Sequence, residues 1–413
     1  MRSILLLAST SLLAACGGGG LETVSAPPPA AGGGNGGSGA QDPHTFANPT
    51  DAKTYVGIGG SQVYEYLTDS RECCDQQGET FAGKTTTIRN STISIAYDPA
   101  DAVYTLTVQD PLSGAQAQTR FQDPASRTDF GGNLEPQWGT PELSNNNIQY
   151  LQAGDGNPLS PYRESGTGLV NPGDNQNPPT GETGSSYQAA SLFVLKPGTE
   201  TQYVTFAGYV RNALSFGQLT VGTTVYDTTT WHLERGAFAY GEATNSDSVP
   251  TTGTGSFQGS MLASMIFNPT IDGQSSIGTT VLPSYYQWIE GTSTLDVDFA
   301  NDSFELALIG TVLAPQLDYY TGPESSVLSA GATFNASGDG LINLITFGGF
   351  KGQFDSAYFT NPAGDRHDVT IAGSTIDGAF YGPNGEEAGG GFRIVGGNPD
   401  ERIDVLGAFV GVK

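Results

Sequence analysis

Histidine and cysteine are nearly missing from this chain, and each shortage closes off a class of chemistry. Three histidines occur in 413 residues, His44, His232 and His367. None has a second His or a Cys at metal-ligand spacing, so no zinc site is implied. Of three cysteines, Cys16 directly follows the leader segment, which leaves only the neighbours Cys73 and Cys74. That is no disulfide framework. Adjacent α-carbons sit about 3.8 Å apart across a trans peptide, closer than disulfides favour, so a strained vicinal bridge and two free thiols both stay open.

Positive charge is also short. Sixteen basic residues face 42 acidic ones, for a net charge of −26. Such a chain repels a polyanion, which disfavours nucleic acid as a partner. The acidity fits solubility, a basic protein partner or loosely held divalent cations. Past the leader there is no heptad, no amphipathic helical run and no second long apolar stretch, so neither a coiled coil nor a transmembrane helix is expected. Gly-x-Ser-x-Gly, His-Glu-x-x-His, Walker and calcium-loop patterns are all missing. Gly32-x-Gly34-x-x-Gly37 fits the dinucleotide fingerprint as letters, but no strand leads into it and no helix follows. No cofactor is implied, and the chain reads as a binder rather than an enzyme. A catalytic triad assembled in space is the alternative, since triads are defined by geometry.

What is present begins with the front end. Arg2, the apolar run through Leu12 and Leu13, and the small pair Ala14-Ala15 form a secretory leader over residues 1–15. Leu13-Ala14-Ala15-Cys16 resembles a bacterial lipobox, in which the Cys16 thiol would carry a diacylglycerol. Residues 16–48 are rich in Gly and Pro, with no apolar period. They cannot bury enough surface to offset ordering entropy and are expected to act as a tether. Gly17 follows the cysteine where an inner-membrane retention signal would carry Asp. The expectation is therefore an outer-membrane, lipid-anchored protein exposed at the cell surface.

Glycine is abundant, at 58 residues, and charged residues make up only 14%, which describes turn-dense β-structure. Residues 92–97 and 102–108 alternate polar with apolar around Asp98-Pro99-Ala100-Asp101 and predict a hairpin. Residues 110–186 lose their period and are expected as long loops, and 187–194 read as a short helix. From Val249 onward, about eight alternating runs follow in quick succession, the last ending at Val412. Alternation puts one face in a core and one toward water, and closure removes exposed edges. The fold class is mainly β: a β-rich handle with long loops over 49–245, then a soluble eight-stranded antiparallel up-and-down barrel over 246–413.

Within that second half, Phe380-Tyr381-Gly382-Pro383-Asn384-Gly385-Glu386-Glu387-Ala388-Gly389-Gly390-Gly391-Phe392 resembles a barrel signature of the transferrin-binding protein B family. The run from Pro250 to Gly259 resembles the opening of that barrel, residues 295–299 its Asp-Phe strand, and Gly407-Ala408-Phe409 its closing strand. The likeness covers roughly the last 165 residues. One lobe stands here where the transferrin receptors have two, and Gly255 and Phe257 replace the commoner Ala and Tyr. The resemblance implies the fold and a surface lipoprotein that captures an extracellular protein or solute, including an iron or haem source. It also implies a TonB-dependent outer-membrane receptor as downstream partner. It does not carry transferrin over as the ligand.

Locally, Gly382-Pro383 is expected to break a strand, and Gly389-Gly390-Gly391 to allow a positive-φ turn and close backbone approach. Glu386 and Glu387 could form an acid/base couple, but turn and cap roles are the better reading. Exposed aromatics are the usual anchors of protein interfaces, which nominates Tyr285, Tyr286, Trp288, Tyr319 and Tyr320 as ligand-binding residues. The competing reading places them in the barrel wall or core. Two rival functions stay open, a structural or adhesive surface protein and a hydrolase with a nonlocal triad.

Overall fold

The structure, a computed structural model, describes residues 45–69, 77–79, 93–109, 114–122, 139–154, 163–164, 168–169, 186–268, 285–313, 328–345, 348–398 and 401–413. Every named strand pairing is antiparallel. One sheet contains β1 (Lys53–Asp69), β2 (Gln77–Glu79), β3 (Ser94–Asp98), β4 (Val103–Gln109), β5 (Gln116–Gln122), β6 (Ile148–Gly154), β9 (Ser186–Leu195), β10 (Val204–Val221) and β11 (Thr224–Gly241). Its order is β5-β4-β3-β1-β11-β10-β9-β6, with β2 on β1. The sheet curls until its edge strands β5 and β6 approach each other, with no ladder joining them among the described residues. β7 (Arg163–Glu164) and β8 (Gly168–Leu169) form a separate small pair.

The second sheet is a closed meander. It runs through β12 (Thr254–Asn268), β13 (Tyr285–Asp298), β14 (Ser303–Val312), β15 (Thr333–Asn343), β16 (Gly349–Thr360), β18 (Ile371–Tyr381), β19 (Glu387–Gly396) and β20 (Arg402–Val412). β17 (Arg366–Asp368) lies beside β16. β15 pairs with β16 and β20 with β12, so the ring of eight strands has no free edge.

Alternation fills this barrel. Its inward positions carry Phe257, Phe304, Phe334, Phe350, Phe354, Phe380, Phe392 and Phe409, all buried in one cluster. The rings need room, which inward glycines supply. A Cβ at Gly378 would lie 2.1 Å from the Phe350 ring. Outward positions such as Glu305, Asp339 and Asp296 are polar. Apolar inside and polar outside is the pattern of a soluble barrel, the reverse of a membrane barrel.

Three expectations change. Residues 187–194 belong to β9 and not to a helix. Ala190, Leu192 and Val194 face the interior of the curled sheet, while Phe193 and Leu195 face the barrel. A strand covered on both faces reads as a continuous apolar run, and period alone does not separate that from a helix. Residues 110–186 are not all loop, because β5 and β6 lie there. Gly389-Gly390-Gly391 is extended within β19, and the positive φ values fall at Gly382 (90°) and Gly385 (72°). Close approach is the need those glycines do meet: a Cβ at Gly390 would lie 2.2 Å from the Asp377 carbonyl oxygen.

Candidate functional site

The curled sheet lays one face of β1, β9, β10 and β11 on the barrel. Phe193, Val204, Phe206, Val210, Ala237 and Ala239 pack there against Leu262, Trp288, Ala379, Tyr381, Ala408 and Val410. Polar ties cross the same junction. Gln62 donates through Nε2 to the Asp404 carbonyl at 2.9 Å, and the Tyr286 hydroxyl donates to the Gln62 carbonyl at 2.9 Å. Arg393 holds the buried Asp404 at 2.9 Å. Trp288 Nε1 donates to the Gly139 carbonyl at 2.8 Å.

Glu387 makes the densest tie. Its carboxylate accepts three successive main-chain N–H groups, from Gln202 (2.6 Å), Tyr203 (2.8 Å) and Val204 (3.0 Å). The residue is 3% exposed. Burial pushes its carboxyl upward, with Glu386 adding to the effect and the three N–H donors pulling the other way. Glu386 instead accepts the Asn384 N–H at 2.9 Å in its own turn. The two carboxylates thus serve separate turns, one within the barrel and one across the junction.

The nominated aromatics part company. Trp288 (1% exposed) and Tyr286 (4%) are buried at the junction and present no side-chain surface to solvent. Strand alternation turns both outward from the barrel, and the curled sheet covers that face. Burial drives the Tyr286 phenol well above its ordinary value, with Arg235 opposing. Tyr285 is the first residue of β13, opposite Phe267. Tyr319 and Tyr320 lie outside the described residues, as do Cys16, Cys73 and Cys74.

The strand directions still place Tyr285 at one end of the barrel. β12, β14, β16 and β19 end there, and the turns of 299–302 and 382–386 are at the other end. Tyr286 and Asp404 mark that rim, and both are tied to Gln62 in mid-β1. Beyond it the β10–β11 ribbon continues for about ten residues, roughly 33 Å at ~3.3 Å per residue. Among the described residues β9 follows β10 only to Ser215 and β1 follows β11 only to Thr228, and 218–221 and 224–227 pair only with each other. Val221 (45%) and Val225 (53%) are exposed at that tip. This distal end, which carries the ribbon tip, is a candidate binding surface.

A buried charged set lies inside the curl at the same level. Glu234 is fully buried and pairs with Arg211. It accepts the Tyr209 hydroxyl at 2.6 Å, with His232 Nε2 3.9 Å away. Burial opposes the carboxylate, but Arg211, His232 and Tyr209 together hold it below the ordinary range. Tyr209 is driven well above 10.0, first by burial and then by Glu234. Among the described residues no group of three or more His, Cys, Asp or Glu converges on a metal position. His367 bonds Glu401 at 2.8 Å at the barrel rim.

On the opposite face of β11, Arg235 is buried against the Tyr286 ring at 4.9 Å and donates to Asn212 at 2.9 Å. Burial lowers its guanidinium to about 10, against Tyr286 and Glu234. Sequence reading missed this pair. The signal was the adjacent charges Glu234-Arg235 inside a strand, just before the apolar run 237–240.

In comparison with known proteins, residues 249–413 match the family model described as C-lobe and N-lobe beta barrels of Tf-binding protein B. No curated protein matches the chain. Among solved structures, a transferrin binding protein B variant from Haemophilus parasuis Hp5 is 12% identical, covering 87% of this chain and 77% of that one, with a TM-score of 0.24. The isotype 1 protein from serogroup B Neisseria meningitidis is 13% identical, covering 88% and 77%, with a TM-score of 0.23. At these scores the whole-chain superposition carries no argument; the family match over the barrel strands does.

Proposed function

We propose that this chain is an outer-membrane lipoprotein, anchored through Cys16 and exposed at the cell surface, that binds an extracellular protein or solute and has no enzymatic role. The observation that carries the reading is the match of residues 249–413 to a barrel family named for a binding protein. The geometry supports it. The barrel interior is filled by phenylalanine rings, so capture falls to the outside, and the distal end offers exposed Val221 and Val225 on a projecting ribbon. Tyr285, Tyr319 and Tyr320 are proposed to serve the same end. The ligand is an iron or haem source, passed to a TonB-dependent receptor, and the handle ends near residue 245.

A pull-down with the full chain in detergent tests this, using growth medium and serum as sources, with mass spectrometry and haem absorbance as readouts. The expected result is a saturable partner carrying iron or haem, lost in the Val221→Asp, Val225→Asp double variant. An empty eluate from folded bait overturns the capture reading. A partner without iron or haem overturns only the ligand class.

A further inference from the structure

A groove of roughly 320 Å³ opens where the curled sheet meets the outer wall of β12–β14. Its floor is set by the barrel register: Leu262, Glu290 and Thr311 lie side by side on three neighbouring strands, and Ser260 and Thr292 form the next row. Phe206 and Ile148 of the curled sheet supply the facing apolar wall. Ile309, opposite Thr292 on the adjoining strand, is 56% exposed, an apolar side chain that neither core covers.

The charged groups are carboxylates. Glu290 accepts the Ser144 N–H through Oε2 at 2.8 Å, and among the described residues no hydrogen bond engages its other oxygen. Behind it, Glu200 accepts Asn145 Nδ2 at 2.7 Å and the Ser260 hydroxyl at 2.6 Å, so two groove-lining side chains are held by a second carboxylate. Among the described residues no lysine, arginine or histidine forms an ion pair with either glutamate.

We infer that this groove receives a lysine or arginine side chain from a partner protein. The aliphatic stem would lie on Leu262, Phe206 and Ile148, with its charged head at Glu290, the way such side chains keep an apolar stem covered and the head polar. The groove has room for one long side chain and stands at the lower end of the range for small-molecule sites, about 300 to about 1,000 Å³. A net charge of −26 favours a basic partner at long range. The inference goes beyond the capture reading and does not depend on the distal end.

The test uses the full chain in detergent with methyl-labelled Ile, Leu and Thr, titrated with acetyl-Gly-Lys-Gly-amide. Its analogue with norleucine in place of lysine has nearly the same stem and no charge. The expected result is saturable shifts at the Leu262, Ile148, Ile309 and Thr311 methyls with the lysine peptide only. Affinity should fall at least tenfold in Glu290→Gln, which keeps the fold and the Tm. Thr311→Lys, which sets a cation across from Glu290, should abolish binding. Equal binding of the norleucine peptide, no shift at these methyls, or an undiminished affinity in Glu290→Gln overturns the inference.

Discussion

Replacing Glu387 with glutamine changes one oxygen to an amide nitrogen at a site where three N–H donors converge within 3.0 Å. The carboxylate can accept all three, and the amide NH₂ has no lone pair to offer. At least one of the Gln202, Tyr203 and Val204 amides then faces a donor. A buried N–H left unpaired costs about 1–3 kcal/mol, and a hydrogen bond to a charged acceptor contributes about 1.5–3 kcal/mol. The two losses overlap, so Glu387→Gln should destabilise by about 2–4 kcal/mol. Aspartate keeps both oxygens but is one methylene shorter, and should restore only part of the loss. Urea denaturation followed by Trp fluorescence reads this, because Trp288 is buried at the same junction. A midpoint for Glu387→Gln corresponding to less than about 0.5 kcal/mol, the range of neutral surface changes, would refute the assignment of Glu387 as the latch between the two sheets.

Glu234→Gln leaves Arg211 buried beside a neutral group and should cost about 3 kcal/mol in the same assay. The folded Glu234 carboxyl is held below 4.5, so its contribution is present above that pH and is lost as acid carries the protein down through the lower folded value. Glu234→Gln should lack that component of acid unfolding. Arg235→Met, in contrast, removes a buried guanidinium that forms no ion pair among the described residues, and stability should stay within about 1 kcal/mol or rise. Gly378→Ala drives a methyl into the Phe350 ring and should cost about 1–3 kcal/mol, with Phe350→Leu recovering part of it in a double-mutant cycle. Trp288→Phe loses its bond to Gly139 and should cost about 1–3 kcal/mol, while ligand capture by the folded variant stays unchanged. Reduced capture at full folding would return Trp288 to the binding surface.

The barrel was the most legible part of the chain. Its strands run 10 to 15 residues, alternation is plain where the outer face meets solvent, as in the iBeBeBeBeB burial of β14, and the final strand closes on the first. The curled sheet was less legible. β9, β10 and β11 are covered on both faces, so their apolar residues do not alternate with polar ones. Trp288 and Tyr286 show the same limit at the site. Alternation put them outside the barrel, which resembles exposure until a second sheet is known to cover that wall.

By itself the amino-acid sequence determined the β class, the order of strands in the barrel, the acidic surface and the scarcity of catalytic and metal-binding side chains, because each follows from composition or from a two-residue period. Tertiary structure alone decided what the glutamates and aromatics do. Glu387 meets its donors 183 to 185 residues away, and Gln62 meets Asp404 across 342. No local pattern encodes such a pairing, because it exists only once two sheets, each specified by its own alternation, are laid face to face.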